Sequence, residues 1–399
     1  MDKKTKNQEV EEKIMIKREN AWKKIPENEH KDVFKFSEDY KSFMLKNKTE
    51  RLASENIIAI LKKEGFKDIN DVSRAHSGEK FYKVIKSKTI IAFIVGKTDD
   101  DLRIVGSHLD SPRLDLKPLP ISEDSGLALL KTHYYGGIKK YHWVNQVLEL
   151  HGVVHTKDGK KINISIGAED NDSKFIIPDL LPHLARKQME KEPKNVVEGE
   201  ELNILVGNIP VDDNKIKSQL KLAAMKILNE RYSIVEEDLC FAELELVPSV
   251  KPVDIGLDRS MIGAYGHDDK VCVYTSLRAL LGIKNPEHTA VCLFADKEEI
   301  GSVGNTGAES LLLHNFAHDY SELLGGKINP AKLLENSKAI SADVTAGVNP
   351  NYKDVHDLQN ASYLGQGVSV EKYGGSGGKY FSNDTHAEYM NFIRQILDK

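Results

Sequence analysis

The sequence predicts an α/β protein with an inserted β-rich domain. Helix-like and strand-like segments alternate before and after the middle of the chain, and the middle itself carries short alternating apolar runs typical of strands. With 399 residues, 40% of them hydrophobic, the chain is long enough for two cores. We therefore expect residues 1–118 and 249–399 to form one discontinuous domain and residues 119–248 to form the second.

The first 66 residues predict helices that cover a sheet. In TERLASENIIAILKKEGF, the residues Leu52, Ile57, Ile60 and Leu61 recur near one helical face, and Gly65 ends the pattern. The dense Lys and Glu residues before this segment indicate a solvated face.

Two strands are expected after Lys83. KTIIAFIVG is the first, and DLRIVGSHLDSP is the second, in which Ile104 and Val105 lead into Ser107 and His108. A buried strand that ends in polar residues is a common place for function in α/β sheets.

The rest of the chain supports the division into two domains. Runs such as HWVNQVLELHGVVH and KINISIG predict strands of the insertion, with IKSQLKLAAMKILNERY as a helix. From Ile255 the α/β alternation returns: DDKVCVYTSLRALLGI and NTGAESLLLHNFAHDYSELL predict helices, and TAVCLFAD and SKAISADV predict strands. A glycine-rich stretch, YGGSGGKY, precedes a last helix in DTHAEYMNFIRQILDK.

Composition argues against several classes of protein. A net charge of -5 gives no general field for nucleic acid or for an anionic membrane. No segment has the apolar length of a membrane span, and the first 20 residues lack a signal-peptide core. The three cysteines are an odd number without a close pair, so neither a disulfide framework nor a zinc ribbon is indicated. We expect a cytoplasmic protein.

Carboxylates and a histidine follow the predicted strands at four places. Any one of them alone is explained by a capped turn or by the acidic first turn of a helix. Together they would repel one another unless cations neutralise them, so their joint arrangement predicts a metal site. The residues are His108 with Asp110, Asp268 with Asp269, Glu298 with Glu299, and Asp343.

These blocks give the chain its resemblance to a known family. VGSHLDSPRLDLKP, YGHDDK, FADKEEIGS and SADVTAGVNPNY resemble, in order, the signature blocks of the aminopeptidase I and aspartyl aminopeptidase family of dinuclear zinc metalloaminopeptidases. KNKTERLASENI and YGGIKKYHWVNQVLELHGVV also match, so the resemblance extends from about Phe36 over most of the chain. It implies a mixed-sheet, zinc-exopeptidase-like catalytic domain with an inserted β-rich dimerisation domain.

The resemblance also implies a mechanism. Two divalent ions, typically zinc, would activate a water that attacks the first peptide bond and releases the amino-terminal residue. Glu298 would be the general base, and Asp110 would orient His108. One ion would be held by His108, Asp268 and Asp343; the other would be held by Asp268, Glu299 and a histidine near the carboxyl end.

Two further residues are assigned by the same resemblance. His183, in PDLLPHLA, would reach into the catalytic site of a neighbouring subunit, because family members form large homo-oligomers, commonly dodecamers, with the dimer as the building block. Lys372 would contact the substrate. The expected partners are therefore peptides and further copies of the chain.

The chain departs from the family pattern in three ways. Ala346 and Asn349 stand where aspartyl-specific members carry histidines, and Asn145 stands where those members have an aspartate, which indicates a different bacterial branch. No residue before Lys399 matches the last metal-ligand histidine. On this basis we expect a C-terminally incomplete catalytic domain with a weak second metal site and uncertain activity.

Two other functions fit parts of the sequence. GGSGG satisfies G-x-S-x-G and would make Ser376 the nucleophile of a serine hydrolase, but only Asp384 and His386 follow it, close together. A non-catalytic homologue, acting as an assembly subunit, would account for the missing histidine. The adjacent Glu298 and Glu299 argue against that alternative, because a scaffold needs neither.

Overall fold

The computed structural model describes residues 4–373 and 384–397. The chain forms two compact units: Phe36–Val344 is one, and Met1–Lys35 together with Thr345–Lys399 is the other. Both large sheets lie in the unit Phe36–Val344. In the described ranges, no helix combines the length and the apolar character needed to span a membrane.

The helices and strands have the following bounds. The helices are α1 (Lys6–Ile14), α2 (His30–Lys46), α3 (Glu50–Lys63), α4 (Arg186–Met189), α5 (Gln219–Tyr232), α6 (Glu236–Leu239), α7 (His267–Gly282), α8 (Leu312–Leu323), α9 (Pro330–Asn336) and α10 (Ala387–Leu397). The strands are β1 (Lys67–Asp68), β2 (Lys80–Ile85), β3 (Thr89–Ile94), β4 (Leu102–His108), β5 (Arg113–Asp124), β6 (Leu127–Tyr135), β7 (Val147–His155), β8 (Lys161–Ile166), β9 (Phe175–Ile176), β10 (Ile204–Gly207), β11 (Glu243–Pro248), β12 (Val253–Ile255), β13 (Met261–Gly263), β14 (Thr289–Ala295) and β15 (Lys338–Ser341).

The first large sheet is mixed and has the strand order β1-β2-β3-β14-β4-β15. Strand β14 is antiparallel to β3 but parallel to β4, and β15 is parallel to β4. All six residues of β3 are buried, which explains why its sequence TIIAFI is apolar at every position after Thr89. The three parallel strands β14, β4 and β15 therefore end at the same edge of the sheet.

Helices cover both faces of this sheet. One core packs α2, α3 and α7 against the sheet and includes Met44, Ile57 and Leu277. The other core packs α8 and α9 against the opposite face and includes Phe316 and Leu333. The sheet is thus the buried middle layer of three.

Helix α3 forms because its two ends carry capping residues. The Thr49 side chain accepts a hydrogen bond from the backbone N–H of Leu52, and the chain leaves the helix through Gly65 at φ +83°. Its buried apolar residues are Ala53, Ile57 and Leu61. Of the predicted face, Ile57 and Leu61 are buried and Ile60 is partly buried against the same core. Leu52 is only partly buried, and Ala53 is buried instead.

The second large sheet has seven antiparallel strands in the order β11-β5-β6-β10-β9-β7-β8. A further pairing between β7 and β11 closes the circuit of strands. Its apolar side chains form a separate core with residues of α5 and α6, including Leu148, Leu246 and Ala224. The sheet draws its strands from Arg113 to Pro248, in the part of the chain where the sequence indicated a β-rich insertion.

One predicted helix is shorter in the structure. The segment NTGAESLLLHNFAHDYSELL predicts a helix throughout, but α8 begins only at Leu312. Gly307 instead pairs with Lys297 in a parallel bridge, and a Cβ at Gly307 would lie 2.1 Å from the carbonyl oxygen of Ser302. This close approach holds the segment before α8 against the chain that leaves β14.

The division of the chain into domains at residues 118 and 249 stays a prediction. The role of the inserted domain in dimerisation stays a prediction as well.

Candidate metal centre

The candidate centre lies where three parallel strands end. His108 ends β4 and is in register with Ala295, the last residue of β14, while Ser341 ends β15 opposite Gly106. The polar residues predicted from the sequence follow these ends, and the first residues of α7 contact the same edge. Parallel topology therefore gathers side chains that are up to 235 residues apart, since Asp343 lies beside His108.

His108 is buried and is held through both ring nitrogens. Its Nδ1 lies 3.0 Å from Oδ1 of Asp110. Its Nε2 lies 3.1 Å from Oδ1 of Asp268 and 3.8 Å from Oδ1 of Asp343. Because Asp110 occupies Nδ1, the free lone pair of a neutral imidazole would point from Nε2 towards the two other carboxylates.

Asp110 is fully buried and joins the segments of the centre. Its carboxylate accepts hydrogen bonds from the backbone N–H of Glu298 at 3.1 Å and of Glu299 at 3.2 Å. It also accepts one from the hydroxyl of Tyr135 at 2.8 Å. One carboxylate thus fixes the histidine and the backbone of both glutamates.

The loop after β14 holds the two glutamates at the edge of the sheet. The backbone N–H of Asp296 donates to the carbonyl of Thr306, and the backbone N–H of Ala308 donates to the carbonyl of Lys297. The chain therefore folds back on itself around the two glutamates. A turn closes within this loop, because Gly301 donates to the carbonyl of Glu298 at 2.9 Å. Glu298 and Glu299 are therefore positioned by backbone hydrogen bonds.

Three residues bring one potential ligand atom each to within 4.8 Å of one another: His108, Asp269 and Asp343. The family resemblance implies that Asp268, the preceding residue, is the ligand. Asp269 is fully buried and accepts a hydrogen bond from the backbone N–H of His108 at 3.3 Å, whereas the Asp268 side chain is half-exposed. Both aspartates therefore lie at the centre: Asp269 contacts the backbone N–H of His108, and Asp268 lies beside its Nε2.

The donor set fits a divalent ion. An imidazole nitrogen and several carboxylate oxygens are ligands that zinc takes in catalytic sites. The carboxylates are also crowded: burial raises the pKa of Glu299 to about 7, and the charges of Asp268, Asp110 and Glu298 add to this rise. A cation placed among these groups would relieve that repulsion.

Burial and the neighbouring charges also shift the pKa values of Glu298, Asp269 and His108. Burial raises the pKa of Glu298, and the charges of Asp343, Asp110 and Asp268 contribute, while His108 opposes them. Burial also raises the pKa of Asp269 to about 7. For His108, burial disfavours the charged ring, but hydrogen bonds to Asp110, Asp268 and Asp343 outweigh it and raise the pKa.

Several residues that support the centre were not predicted from the sequence. Ser111 donates its hydroxyl to the carbonyl of Asp268 at 2.7 Å, and the buried Lys270 donates to that hydroxyl at 2.7 Å. Burial lowers the pKa of Lys270 to about 8. Tyr135 comes from the seven-stranded sheet. Ser111 and Lys270 are next to predicted site residues in the sequence, and that position could have indicated a supporting role. No sequence signal pointed to Tyr135.

Three other residues were also predicted to act in the site. His183 is exposed, among the exposed Leu180, Leu181 and Leu184, and is not part of the cluster at His108. Lys372 belongs to the other compact unit, where its carbonyl accepts a hydrogen bond from Thr385. Ser376 lies outside the described residues.

Residues 43–398 match the sequence model of the family described as "Aminopeptidase I zinc metalloprotease (M18)". The chain belongs to the M18 family. The predicted family is therefore confirmed, and with it the assignment of the chain to metal-dependent aminopeptidases.

Relatives of this M18 chain span nearly all of it. A protein named "Probable M18 family aminopeptidase 1" from Thermotoga maritima is 45% identical over 390 residues, which are 97% of this chain and 85% of the relative. The protein of the same name from Clostridium acetobutylicum is 44% identical over 388 residues, which are 95% of this chain and 83% of the relative.

Solved structures agree with the M18 fold. The crystal structure of the M18 aminopeptidase from Thermotoga maritima has a TM-score of 0.91 at 45% identity, covering 96% of this chain and 84% of that one. Aminopeptidase I from Clostridium acetobutylicum gives 0.88 at 41% identity, covering 96% and 85%. The predicted α/β fold with a mixed sheet and a β-rich insertion is therefore confirmed.

Proposed function

We propose that this M18 chain hydrolyses the amino-terminal residue of peptides with a metal-activated water, and that Glu298 is the general base. The observation that supports it most directly is the convergence at His108: two carboxylates lie beside its Nε2, and Asp110 joins its Nδ1 to the backbone of Glu298. The backbone of the proposed base is thereby anchored to the residue that orients the proposed metal-binding histidine.

The proposed ligands are divided between two divalent ions, with zinc as the metal. His108, Asp268 and Asp343 hold the first, and Asp268 and Glu299 contribute to the second. Divalent ions bound there would lower the pKa of a water and polarise the scissile carbonyl. Asp269 supports the set by fixing the backbone of His108.

Glu298 performs the proton transfers. Glu298 is exposed, so water and substrate can reach it, while its backbone is anchored to Asp110. Its raised pKa suits a carboxylate that accepts a proton from the attacking water and then passes it to the leaving amine. Asp110 keeps His108 and this base in a fixed relation throughout.

The experiment compares hydrolysis of a panel of amino-acid anilides with zinc supplied and with zinc chelated. We expect turnover that is lost on chelation and recovered on adding zinc back. His108→Ala should lose bound metal and turnover together, because it removes the ring that both carboxylates face. His76→Ala, at an exposed histidine of the same unit, is the matched control. Turnover that survives chelation would contradict the proposal.

We also propose that the chain works as a homo-oligomer in which His183 completes a neighbour's site and Lys372 contacts substrate. A dodecamer has been solved for mApe1 from S. cerevesiae. The match between the two proteins covers 82% of this chain at 21% identity and has a TM-score of 0.66. The exposure of His183 and its neighbouring leucines is compatible with a contact between subunits.

Mixing inactive variants tests the role of His183. If His183 acts across an interface, mixed oligomers of His183→Ala and Glu298→Gln subunits regain activity, because some sites then receive an intact histidine and an intact base. No recovery in mixed oligomers would contradict that role. The alternative of a non-catalytic assembly subunit predicts an oligomer that has no zinc-dependent turnover at all.

A further inference from the structure

Tyr135 brings the seven-stranded sheet into the metal centre. It is the last residue of β6, it is 7% exposed, and its hydroxyl donates to Oδ2 of Asp110 at 2.8 Å. The next residue, Gly136, lies so close to the glutamate loop that a Cβ there would be 3.4 Å from the Cβ of Glu299. The end of β6 is thus packed directly against the centre.

The ring of Tyr135 is fixed from its other side by Arg113. The two residues are paired across β5 and β6, and the guanidinium carbon lies 3.9 Å from the ring centroid. Arg113 is buried and is itself held by Glu50 at 3.0 Å and by Asp115 at 2.7 Å. The phenol therefore has little freedom, and its hydroxyl is directed at one carboxylate oxygen.

The hydrogen bonds to Asp110 differ between its two oxygens. Oδ1 receives His108 Nδ1 at 3.0 Å and the N–H of Glu298 at 3.1 Å. Oδ2 receives the Tyr135 hydroxyl at 2.8 Å and the N–H groups of Glu298 and Glu299, each at 3.2 Å. The tyrosine makes the shortest of these bonds. It is also the one side-chain donor to Oδ2 among the described residues.

We propose that Tyr135 is a positioning residue of the metal centre: its hydroxyl sets the orientation of the Asp110 carboxylate and, through it, the ring of His108. The inference rests on the proposed function, in which His108 binds metal. Without the hydroxyl, Oδ2 keeps only the two longer amide contacts. The carboxylate can then turn about its Cβ–Cγ bond, and the bond from Oδ1 to His108 loosens. Groups that orient a metal-bound histidine in this way affect metal affinity although they never touch the metal.

Tyr135 acts only as a neutral donor. Burial and the adjacent Asp110 raise its pKa well above the usual value, although Arg113 opposes the rise. The phenol therefore keeps its proton over the whole working range of pH. Phenylalanine would retain the ring and its contact with Arg113 while removing only the hydroxyl.

The test is the zinc affinity of the full-length protein, measured by competition with a chromophoric chelator. Tyr135→Phe should bind zinc about 10-fold more weakly or worse. Tyr134→Phe is the matched control: it removes the hydroxyl of the preceding, 39% exposed tyrosine and should leave the affinity unchanged. At saturating zinc, Tyr135→Phe should recover kcat with an unchanged KM, which a general structural defect would not do.

A double-mutant cycle with Asp110→Asn identifies the route of the effect. If Tyr135 acts through Asp110, Tyr135→Phe costs little further zinc affinity in the Asp110→Asn background. Equal losses in the two backgrounds would overturn the proposal, as would wild-type zinc affinity in Tyr135→Phe. Failure of the wild-type protein itself to bind zinc would instead refute the proposed function on which the inference rests.

Discussion

His108 and Asp110 form the central pair of the candidate metal centre, with Nδ1 of the ring 3.0 Å from Oδ1 of the carboxylate. Both side chains are buried, and the same carboxylate accepts the backbone N–H groups of Glu298 and Glu299. The pair therefore ties the end of β4 to the loop after β14. The histidine presents its other nitrogen to Asp268 and Asp343.

Asp268 and Asp269 should differ in their effect on bound metal. We expect Asp268→Asn to lower zinc affinity by about 10-fold or more, because it removes a proposed ligand beside Nε2 of His108. Asp269→Asn should have the smaller effect, since an amide oxygen can still accept the N–H of His108. The zinc content of each variant after dialysis measures the two effects. Loss of zinc from Asp269→Asn alone would make Asp269 the ligand.

Glu50 should be important for stability. It is buried, and its carboxylate pairs with Arg113 at 3.0 Å and with Lys88 at 2.9 Å. Although burial opposes its ionisation, Arg113 and Lys88 hold the pKa of Glu50 well below its usual range. Glu50→Gln removes the buried carboxylate that these two cations share, although Arg113 keeps Asp115 at 2.7 Å and Lys88 keeps Glu243 at 3.2 Å. The substitution should lower the free energy of unfolding by about 2 kcal/mol.

Urea unfolding measures the effect of Glu50→Gln. Glu55→Gln on the same helix is the control, because Glu55 is exposed and its pairing with Lys161 is long, at 3.8 Å. Equal stability of the two variants would show that the buried pairs contribute nothing net.

Stability should depend on pH through Asp172. Its carboxylate accepts hydrogen bonds from Arg231 and from the N–H groups of Gly167 and Ser173, and these hold its pKa well below the usual value. A carboxyl with a depressed folded-state pKa stabilises the fold above its unfolded pKa of about 4 and loses that contribution as pH falls further. Asp172→Asn should therefore cost about 1 kcal/mol at pH 7 and progressively less below pH 4.

Unfolding at pH 7 and pH 3 measures the contribution of Asp172. Asp170→Asn is the control, because the Asp170 side chain is 78% exposed and pairs with the exposed Lys251. A cost for Asp172→Asn that does not change with pH would contradict the assignment of the effect to ionisation.

The core of the seven-stranded sheet should accept a larger side chain at position 224. Ala224, on α5, lines an apolar cavity of about 280 Å³ between that helix and the sheet. Ala224→Leu fills part of this space and keeps a strong helix former, so it should raise the free energy of unfolding by about 1 kcal/mol. A lower unfolding temperature would mean that the cavity cannot take the added carbons.

Much of the centre could be predicted from the sequence because of one topological rule. Parallel strands place their carboxyl ends at one edge, so His108, Glu299 and Asp343 were expected to meet from their positions after apolar runs. The family resemblance then supplied their separate roles. Those roles remain predictions, whereas the family and fold class are confirmed.

The residues that were not predicted were missed for the same physical reason. Tyr135 reaches the centre because β6 of the other large sheet ends there, and Glu50 meets Arg113 across elements that are 63 residues apart. Such contacts depend on how the two sheets pack, and no local pattern of period 2 or 3.6 encodes that packing. The early start predicted for α8 failed for a similar reason, because Gly307 pairs with Lys297.

The role of Glu298 as the general base is tested most directly by the zinc content and the turnover of Glu298→Gln, measured on the same preparation. We expect wild-type zinc content, because the variant keeps every proposed ligand. Turnover should fall by at least about 100-fold, because an amide cannot accept the proton. Glu309→Gln, at an exposed glutamate ten residues after Glu299, should match the wild type in both. A zinc-loaded Glu298→Gln protein that hydrolyses anilides at the wild-type rate would contradict the central claim.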